Sequence, residues 1–306
     1  MRGEKQDIGS NPAGTGRATL QCLHRIRLKN LTAGGRTADY RLQTDAGIAN
    51  IRSIIDYRAR TGNTNMKIAV ISDIHGNAAA FREVLKDIEG SGVSTVFSLG
   101  DNIGYGPEPE EVIRLLRAHE ITSIIGNHEL AVNDPRFLNW FNPIARISLE
   151  KTVGFLSGET LAYIAELPFF RIAHHCRFVH GFPPESATEY LFEVAPDRLT
   201  RTLRESEENI CFVGHTHELV LVSKDEEGIS KRPLKQETVV LETGCRYLIN
   251  VGSVGQPRDG NNKAKYVIFD DQSLELEVRF VSYNVTETVN RIYQAGLPEQ
   301  HAWCLL

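Results

Sequence analysis

The chain of 306 residues is 41% hydrophobic and carries a formal net charge of −5. The charge is uneven: residues 1–65 hold eleven Lys/Arg and five Asp/Glu, a balance of +6, whereas residues 66–306 hold 23 and 34, a balance of −11. Because residues 66–306 are this acidic, they are electrostatically unsuited to binding the backbone phosphates of long nucleic acids. No stretch approaches the ~18 consecutive apolar residues of a membrane span, and no secretory signal is recognisable.

The cysteines are odd in number and widely spaced, and they form no Cys-x-x-Cys pair; they are Cys22, Cys176, Cys211, Cys245 and Cys304. This pattern argues against a disulfide framework and against a structural zinc site. We therefore expect a cytoplasmic protein.

Residues 1–65 are rich in Gly, Arg, Thr and Asn and show little periodicity, apart from a short helix predicted at 46–60. Three interpretations compete: a flexible tail, a targeting peptide, or translated upstream sequence from a wrongly chosen start codon. We favour the last, because a complete domain begins at Met66. The predicted organisation is an N-terminal extension, 1–65, followed by one domain, 66–306.

From Met66 onward the pattern predicts alternating strands and helices. Apolar runs typical of buried strands occupy 68–71, 96–99, 121–125, 178–179 and 211–213. Helical spacing of apolar residues covers 77–89, 108–119, 143–167 and 286–294. We expect the third helix to cover the mouth of the site. Shorter alternating segments at 219–222, 238–241, 247–250, 265–269 and 275–280 predict an antiparallel second sheet.

A polar motif follows each of the five apolar runs. The motifs are Asp73-Ile74-His75, Gly100-Asp101-Asn102, Gly126-Asn127-His128-Glu129, His180-Gly181 and Gly214-His215-Thr216-His217. In α/β sheets, side chains just past the carboxyl ends of neighbouring strands converge on one crevice, which is where ligands usually bind. His174 and His175 compete with His180, but His180 ends a strand and is followed by glycine. His24 and His301 are expected to lie outside the site.

The converging side chains include two aspartates, four histidines and one asparagine. This mixed set suits manganese first, and also iron, zinc, cobalt or nickel, better than magnesium or calcium. Seven ligands exceed the three of a single catalytic zinc. Two divalent ions and two aspartates leave a positive pocket that favours an anionic substrate and in-line attack by a metal-bound hydroxide on phosphorus. His128, beside a candidate ligand, is the expected proton donor.

Taken together, the motifs resemble those of the calcineurin-like metallophosphoesterase superfamily, and most of all its small bacterial and archaeal phosphodiesterase branch. Tyr105-Gly106-Pro107 and the segment 250–258 are further matches. The resemblance covers residues 66–306. It implies an α/β (α+β) fold, a four-layer sandwich in which two mixed β-sheets pack face to face with helices outside.

The resemblance also implies a role for each motif residue. The first metal would be held by Asp73, His75 and His217, with Asp101 bridging to the second. The second metal would be completed by Asn127, His180 and His215, and His128 would be the catalytic histidine.

One departure from the superfamily narrows the function. Its protein serine/threonine phosphatases carry an arginine after the second motif and another before Gly-Asn-His-Glu, and these arginines grip the phosphate. The corresponding stretches here, 102–105 and 124–126, contain no arginine, so a bidentate clamp is absent. Asn102 and Arg258 are the remaining candidates for contacts with the substrate.

The predicted function is therefore a metal-dependent hydrolase of phosphoester bonds in small molecules or nucleotides, with a small phosphoester as its partner. A protein serine/threonine phosphatase is one alternative. A non-catalytic binding scaffold of the same fold is another, although retention of His128 and of every ligand favours an enzyme. The sequence leaves open whether the chain forms a homo-oligomer.

Overall fold

The computed structural model describes residues 66–306. The predictions made for 1–65, including the helix at 46–60 and the placement of His24, lie outside the described residues. Within 66–306, no helix is both long and apolar enough to cross a membrane.

The described residues form twelve strands and eight α-helices. The strands are β1 (Lys67–Ile71), β2 (Val93–Ser98), β3 (Thr122–Ser123), β4 (Phe170–Ala173), β5 (Cys176–Val179), β6 (Ile210–Val213), β7 (Leu219–Lys224), β8 (Ile229–Pro233), β9 (Thr238–Val240), β10 (Arg246–Val251), β11 (Ala264–Asp270) and β12 (Glu275–Val281). The α-helices are α1 (Ala78–Glu89), α2 (Pro109–Ala118), α3 (Asn127–Asn133), α4 (Pro143–Val153), α5 (Gly158–Ala165), α6 (Pro196–Glu205), α7 (Val285–Gln294) and α8 (Glu299–Trp303). Short 3₁₀ helices cover Pro135–Trp140 and Leu191–Glu193.

Two six-stranded mixed sheets make up the body of the domain. The first has the order β3-β2-β1-β11-β12-β9 and the second the order β4-β5-β6-β10-β7-β8. Parallel pairing joins β1, β2 and β3 in the first sheet and β5, β6 and β10 in the second. The remaining pairs are antiparallel. The carboxyl ends of both parallel groups can therefore supply the site.

The alternation of side chains in β1 shows how the layers form. Ile68 and Val70 belong to the core between the sheets, together with Phe178 and Phe212 of the second sheet. Ala69 and Ile71 point the other way, into the core that α1 and α2 cover. A third core lies beneath α6, on the outer face of the second sheet. Each fully buried aliphatic or aromatic side chain contributes about 1.5–3 kcal/mol, so both faces of each sheet are stabilised.

The helices begin where the sequence supplies caps. The Asn77 side chain accepts a hydrogen bond from the backbone N–H of Ala80 (3.1 Å) and starts α1 directly after the first motif. Pro109 opens α2, because its fixed φ suits the first helical turn. The loops that carry the motifs are therefore short, and the strand before each loop and the helix after it limit the positions of the motif residues.

The predicted fold class is confirmed: two packed mixed sheets lie between layers of helices. Two details of the prediction are wrong. The late strands do not form one second sheet, since β9, β11 and β12 extend the first sheet while β7, β8 and β10 join the second. The single helix at 143–167 is two helices, because the chain leaves the helical path at Gly154 and Ser157 caps a new helix.

Candidate metal centre

Short loops at the ends of the strands bring the predicted ligands together. Asp73 and His75 follow β1, Asp101 follows β2, and His180 follows β5. His215 and His217 follow β6, while Asn127 and His128 form the first turn of α3, after β3. Backbone hydrogen bonds join these loops: the N–H of His75 donates to Asp101 (2.9 Å), and the N–H of Asp73 donates to Gly100 (3.1 Å).

The backbone at five of these residues is left-handed. The φ angles are 53° at Asp73, 48° at His75, 51° at Asp101, 68° at His215 and 62° at His217. A non-glycine residue in this region costs of order 1 kcal/mol and persists only where the surroundings impose it, often at functional sites. The fold therefore holds these side chains in place against the local preference of the backbone.

The first group of candidate ligands is Asp73, His75 and His217, all buried. The Nε2 atoms of His75 and His217 lie 3.0 Å apart. The Oδ1 atom of Asp73 is 3.2 Å from His217 Nε2 and 3.7 Å from His75 Nε2. The other oxygen, Oδ2, is occupied by the Ser72 hydroxyl (2.6 Å) and by the N–H of His215 (3.0 Å). One oxygen and two ring nitrogens thus face a common point.

The second group is Asp101, His180 and His215, with Asn127 beside it. His180 Nε2 lies 3.3 Å from Asp101 Oδ2, 3.2 Å from His215 Nδ1 and 3.2 Å from Asn127 Oδ1. The same Asp101 oxygen is 3.8 Å from His75 Nε2 in the first group. Asp101 therefore lies between the two groups, as a bridging carboxylate would.

Each of these four histidines has its outer ring nitrogen against a backbone carbonyl. The acceptors are Ile103 for His75 (3.1 Å), Leu99 for His180 (2.9 Å), Gln256 for His217 (2.5 Å) and Thr188 for His215 (3.2 Å). A carbonyl can only accept, so the outer nitrogen carries the proton and the inner nitrogen presents its lone pair. This arrangement is typical of metal-binding histidines.

His128 differs from the other four. Its Nε2 lies 3.9 Å from Asp101 Oδ2, whereas its Nδ1 has no hydrogen-bond partner among residues 66–306. Nδ1 packs against Gly104, where an added Cβ would lie only 2.0 Å away. Nε2 is the nitrogen that faces the centre, and His128 forms a third group of potential metal ligands with His75 and Asp101. The role of His128 as proton donor stays a prediction.

Burial and mutual charge control the protonation of the cluster. Burial alone would raise the pKa of Asp73, yet His217 and His180 hold that pKa below its usual range. Burial would lower the pKa of His180, but the Asp101 carboxylate raises it to about 9. Burial and the neighbouring His180 lower the pKa of His215 to about 3. The two carboxylates therefore draw a positive charge into the cluster.

These donors fit divalent metal ions. In each group two ring nitrogens with their lone pairs turned inward lie 3.0–3.2 Å apart, which is repulsive unless a cation or proton stands between them. Asp73 Oδ1 is buried and lacks a hydrogen-bond partner in the described part of the chain. A bound ion would satisfy it, and nitrogen with carboxylate oxygen is the set preferred by borderline metals.

Two residues have structural positions that the motifs did not reveal. The Glu129 carboxylate accepts hydrogen bonds from the N–H groups of Asp101 (2.9 Å), Asn102 (2.7 Å) and Gly126 (3.0 Å), and so joins the second and third motif loops. Asn102 is fully buried, accepts a hydrogen bond from Ser98 (2.6 Å) and donates one to Ser123 (3.1 Å). Its amide is thus engaged away from the ligand groups, so the geometry gives no support to the predicted substrate contact of Asn102.

The C-terminal helices contribute a residue that was expected to lie elsewhere. His301, on α8, is 6% exposed, and its ring lies 4.6 Å from that of Tyr105, which itself lies 4.6 Å from His128. Together with His75, His301 lines a small cavity beside the first ligand group. The prediction that His301 lies outside the site is therefore wrong. The position of His301 depends on how α7 and α8 pack against the rest of the domain. No sequence motif near His301 predicts that packing.

A two-sheet sandwich with an Asp/His cluster at the carboxyl ends of its parallel strands defines the metallophosphoesterase class. The sequence matches the calcineurin-like phosphoesterase superfamily domain over residues 66–273. The chain therefore belongs to that superfamily, as the motifs predicted.

Individual relatives agree. An uncharacterised protein of Methanocaldococcus jannaschii is 36% identical over 238 residues, which are 76% of this chain and 94% of the relative. The crystal structure of a metallophosphoesterase from Sphaerobacter thermophilus is similar, with 35% identity, a TM-score of 0.68, and coverage of 79% of this chain and 98% of that one. A hypothetical protein from Pyrococcus horikoshii shares the fold at 21% identity and a TM-score of 0.65, over 78% of this chain and 97% of that one.

Proposed function

We propose that this protein hydrolyses phosphoester bonds of small molecules or nucleotides with two divalent metal ions, manganese being the first candidate. The observation that carries the proposal is the orientation of the four ligand histidines, whose outer nitrogens face carbonyls while their inner nitrogens converge on two carboxylates. When bound, the ions would neutralise the phosphoryl group and lower the pKa of a water molecule.

The ligands would be divided as the distances suggest. Asp73, His75 and His217 would hold one ion, and His180, His215 and Asn127 the other, with Asp101 shared. The ligand carboxylates carry −2 in total, so two divalent ions would leave a net charge of +2 that attracts an anionic ester.

His128 would act on the leaving group. The Nε2 atom of His128 faces the ligand groups, 3.9 Å from Asp101 Oδ2, so an N–H at this position would be directed at the bound ester. That N–H can donate to the ester oxygen as negative charge develops there. Phe141 packs edge-on against the ring at 4.9 Å and Gly104 closes its other side, which fixes the direction of the donor.

A direct test uses purified protein, stripped of metal and reloaded with Mn²⁺. We expect it to release yellow p-nitrophenolate from bis-p-nitrophenyl phosphate, and to lose that activity when the metal is chelated. A panel of monoesters, diesters and nucleotides would then rank the substrates. Absence of metal-dependent turnover on every ester would contradict the proposal and favour a binding scaffold.

A further inference from the structure

Each ligand group has a tyrosine ring against one of its histidines. Tyr105 lies on His75 with ring centroids 4.4 Å apart and an interplanar angle of 39°. Tyr190 stacks on His215 at 3.7 Å and 17°. The two tyrosines lie in loops that leave different sheets: Tyr105 in the loop after β2, and Tyr190 in the longer loop after β5. The negative charge of Asp101, between the groups, raises the pKa of both phenols, after the larger effect of burial.

Arg258 is two residues past Gln256, whose carbonyl oxygen contacts the ligand histidine His217. Burial raises the pKa of Tyr105 and of Tyr190, and the positive charge of Arg258 opposes that effect at both phenols. A phenol can donate as well as accept a hydrogen bond and a guanidinium only donates, so each of the three side chains can offer a hydrogen to an oxyanion.

The loop that carries Arg258 is anchored to the site. The Gln256 carbonyl holds the outer nitrogen of His217 (2.5 Å), and the Gln256 side chain accepts from Arg258 (3.4 Å). On the other side of Arg258, Asp259 is ion-paired at 2.7 Å with Lys265, whose side chain is fully buried on β11. Arg258 is exposed to solvent. Residues on both sides of it in the chain, Gln256 and Asp259, are held by contacts with His217 and Lys265.

Tyr105 is held equally firmly. Its φ of 56° is left-handed, and the adjacent Gly106 lies so close to His75 that an added Cβ would be 2.1 Å from the His75 carbonyl oxygen. His301 of α8 packs on the Tyr105 ring at an angle of 33°, while His75 packs on it at 39°. The hydroxyl is thus presented from a clamped ring.

We propose that Tyr105, Tyr190 and Arg258 form an oxyanion subsite that binds the phosphoryl oxygens of the substrate and of the phosphate product. The subsite rests on the proposed function and deepens it. The second and third motifs lack arginines, so a phosphoryl group at the metals needs donors from elsewhere. Two phenols and one guanidinium at the edge of the ligand cluster supply them with a single positive charge.

The test uses the full-length, metal-loaded protein with Arg258→Gln, Tyr105→Phe, Tyr190→Phe and the double variant Tyr105→Phe/Arg258→Gln. The affinity for inorganic phosphate is measured by calorimetry, and kcat/KM is measured on a p-nitrophenyl ester. We expect Arg258→Gln to weaken phosphate binding about 10- to 100-fold, and each phenol loss to weaken it about 3- to 10-fold. The double variant should lose less than the product of the single losses, because two groups that bind the same phosphoryl group are energetically coupled.

Two matched controls remove the same chemical groups elsewhere. Tyr247→Phe removes a phenol that is hydrogen-bonded to the backbone N–H of Glu242 (2.8 Å), and Arg232→Gln removes an arginine paired with Glu237 (2.7 Å). Both should bind phosphate and turn over ester like the wild type. Metal content, measured by atomic spectrometry, should be unchanged in every variant, because phenylalanine keeps the ring that packs on the ligand histidine.

Phosphate affinity and kcat/KM within about twofold of wild type for Arg258→Gln and for both phenylalanine variants would overturn the subsite and leave these residues as packing alone. Loss of metal in the phenylalanine variants would equally overturn it. Failure of the proposed function is a separate result: the wild type would hydrolyse no ester, while the phosphate titration would still decide whether the three residues bind an oxyanion.

Discussion

Two polar clusters in this molecule differ in how completely they are paired. At Asp87, the carboxylate receives the Tyr266 hydroxyl (2.6 Å) and two guanidinium donors of Arg279 (2.8 and 3.0 Å). At the metal centre, Asp73 and Asp101 are deeply buried, and the described residues supply no lysine or arginine within ion-pairing distance of them. A buried charge without a partner is costly. The first cluster holds an arginine as its permanent cation, whereas the carboxylates of the second face only histidines, of which His180 has a raised pKa.

Among the substitutions that test the difference between the two clusters, we expect Asp101→Asn to have the largest effect. The change removes the charge that lies between both ligand groups, so we expect metal content and turnover to fall together, turnover by about 10³-fold. Metal ions contribute several kcal/mol of charge stabilisation, and that loss corresponds to such a factor. Metal analysis and kcat on one ester provide the measurement. Two metals per chain together with full turnover would show that Asp101 does not bridge.

His128→Ala tests whether the unpaired ring is a donor. We expect the variant to keep its metals and to lose about 10²-fold on an alkyl phosphoester, whose leaving oxygen needs a proton. On a p-nitrophenyl ester the loss should be smaller, because p-nitrophenolate leaves without such help. Equal losses on both esters would indicate positioning or charge stabilisation, and loss of metal would make His128 a ligand.

Metal binding should also stabilise the fold. If the centre is incomplete without cations, ions bind the native state and raise the free energy of unfolding, by about 2.7 kcal/mol when the free metal is at 100 times its dissociation constant. Thermal unfolding of metal-free protein with and without Mn²⁺ measures this effect, which Asp101→Asn should greatly reduce. An unchanged melting temperature of the wild type on addition of Mn²⁺ would show that metal ions do not stabilise the folded protein.

Asp87→Asn should have the smallest effect, about 1–2 kcal/mol of stability at pH 7, with no change in metal content. Burial raises the pKa of Asp87, but the hydrogen bonds from Arg279 and Tyr266 outweigh it, so this pKa is lowered on folding. The contribution is therefore fully present above the pKa of the unfolded chain, about 3.9, and is lost as the pH falls through the lower folded value. Urea unfolding of both proteins at pH 7 and pH 3 should show the difference shrinking in acid.

The residues that sequence could place are those fixed by short-range pattern. Asp73, Asp101 and His180 each follow an apolar run at the carboxyl end of a parallel strand, and topology alone brings such ends together. The four-layer arrangement was predicted from the resemblance of the motifs to the calcineurin-like superfamily. These predictions needed no knowledge of how distant segments dock.

The residues that sequence misplaced depend on such docking. His301 reaches Tyr105 only because α7 and α8 dock against the start of α1, where the Thr288 hydroxyl donates to the Asn77 side chain (3.0 Å). The late strands alternate alike whichever sheet they join, so alternation could not assign β11 to the first sheet and β10 to the second. The substrate contact of Asn102 stays a prediction, and its side chain is hydrogen-bonded to Ser98 and Ser123.

The left-handed backbone at Asp73, His75, Asp101, His215 and His217 has a consequence for engineering. Glycine adopts this conformation without strain, so substitutions that discard a ligand could relieve about 1 kcal/mol at each site. Selection for thermostability in a metal-free medium would then favour variants that have lost the centre. Directed evolution of this protein should therefore be carried out with metal present, so that retention of the ligands and gain in stability act in the same direction.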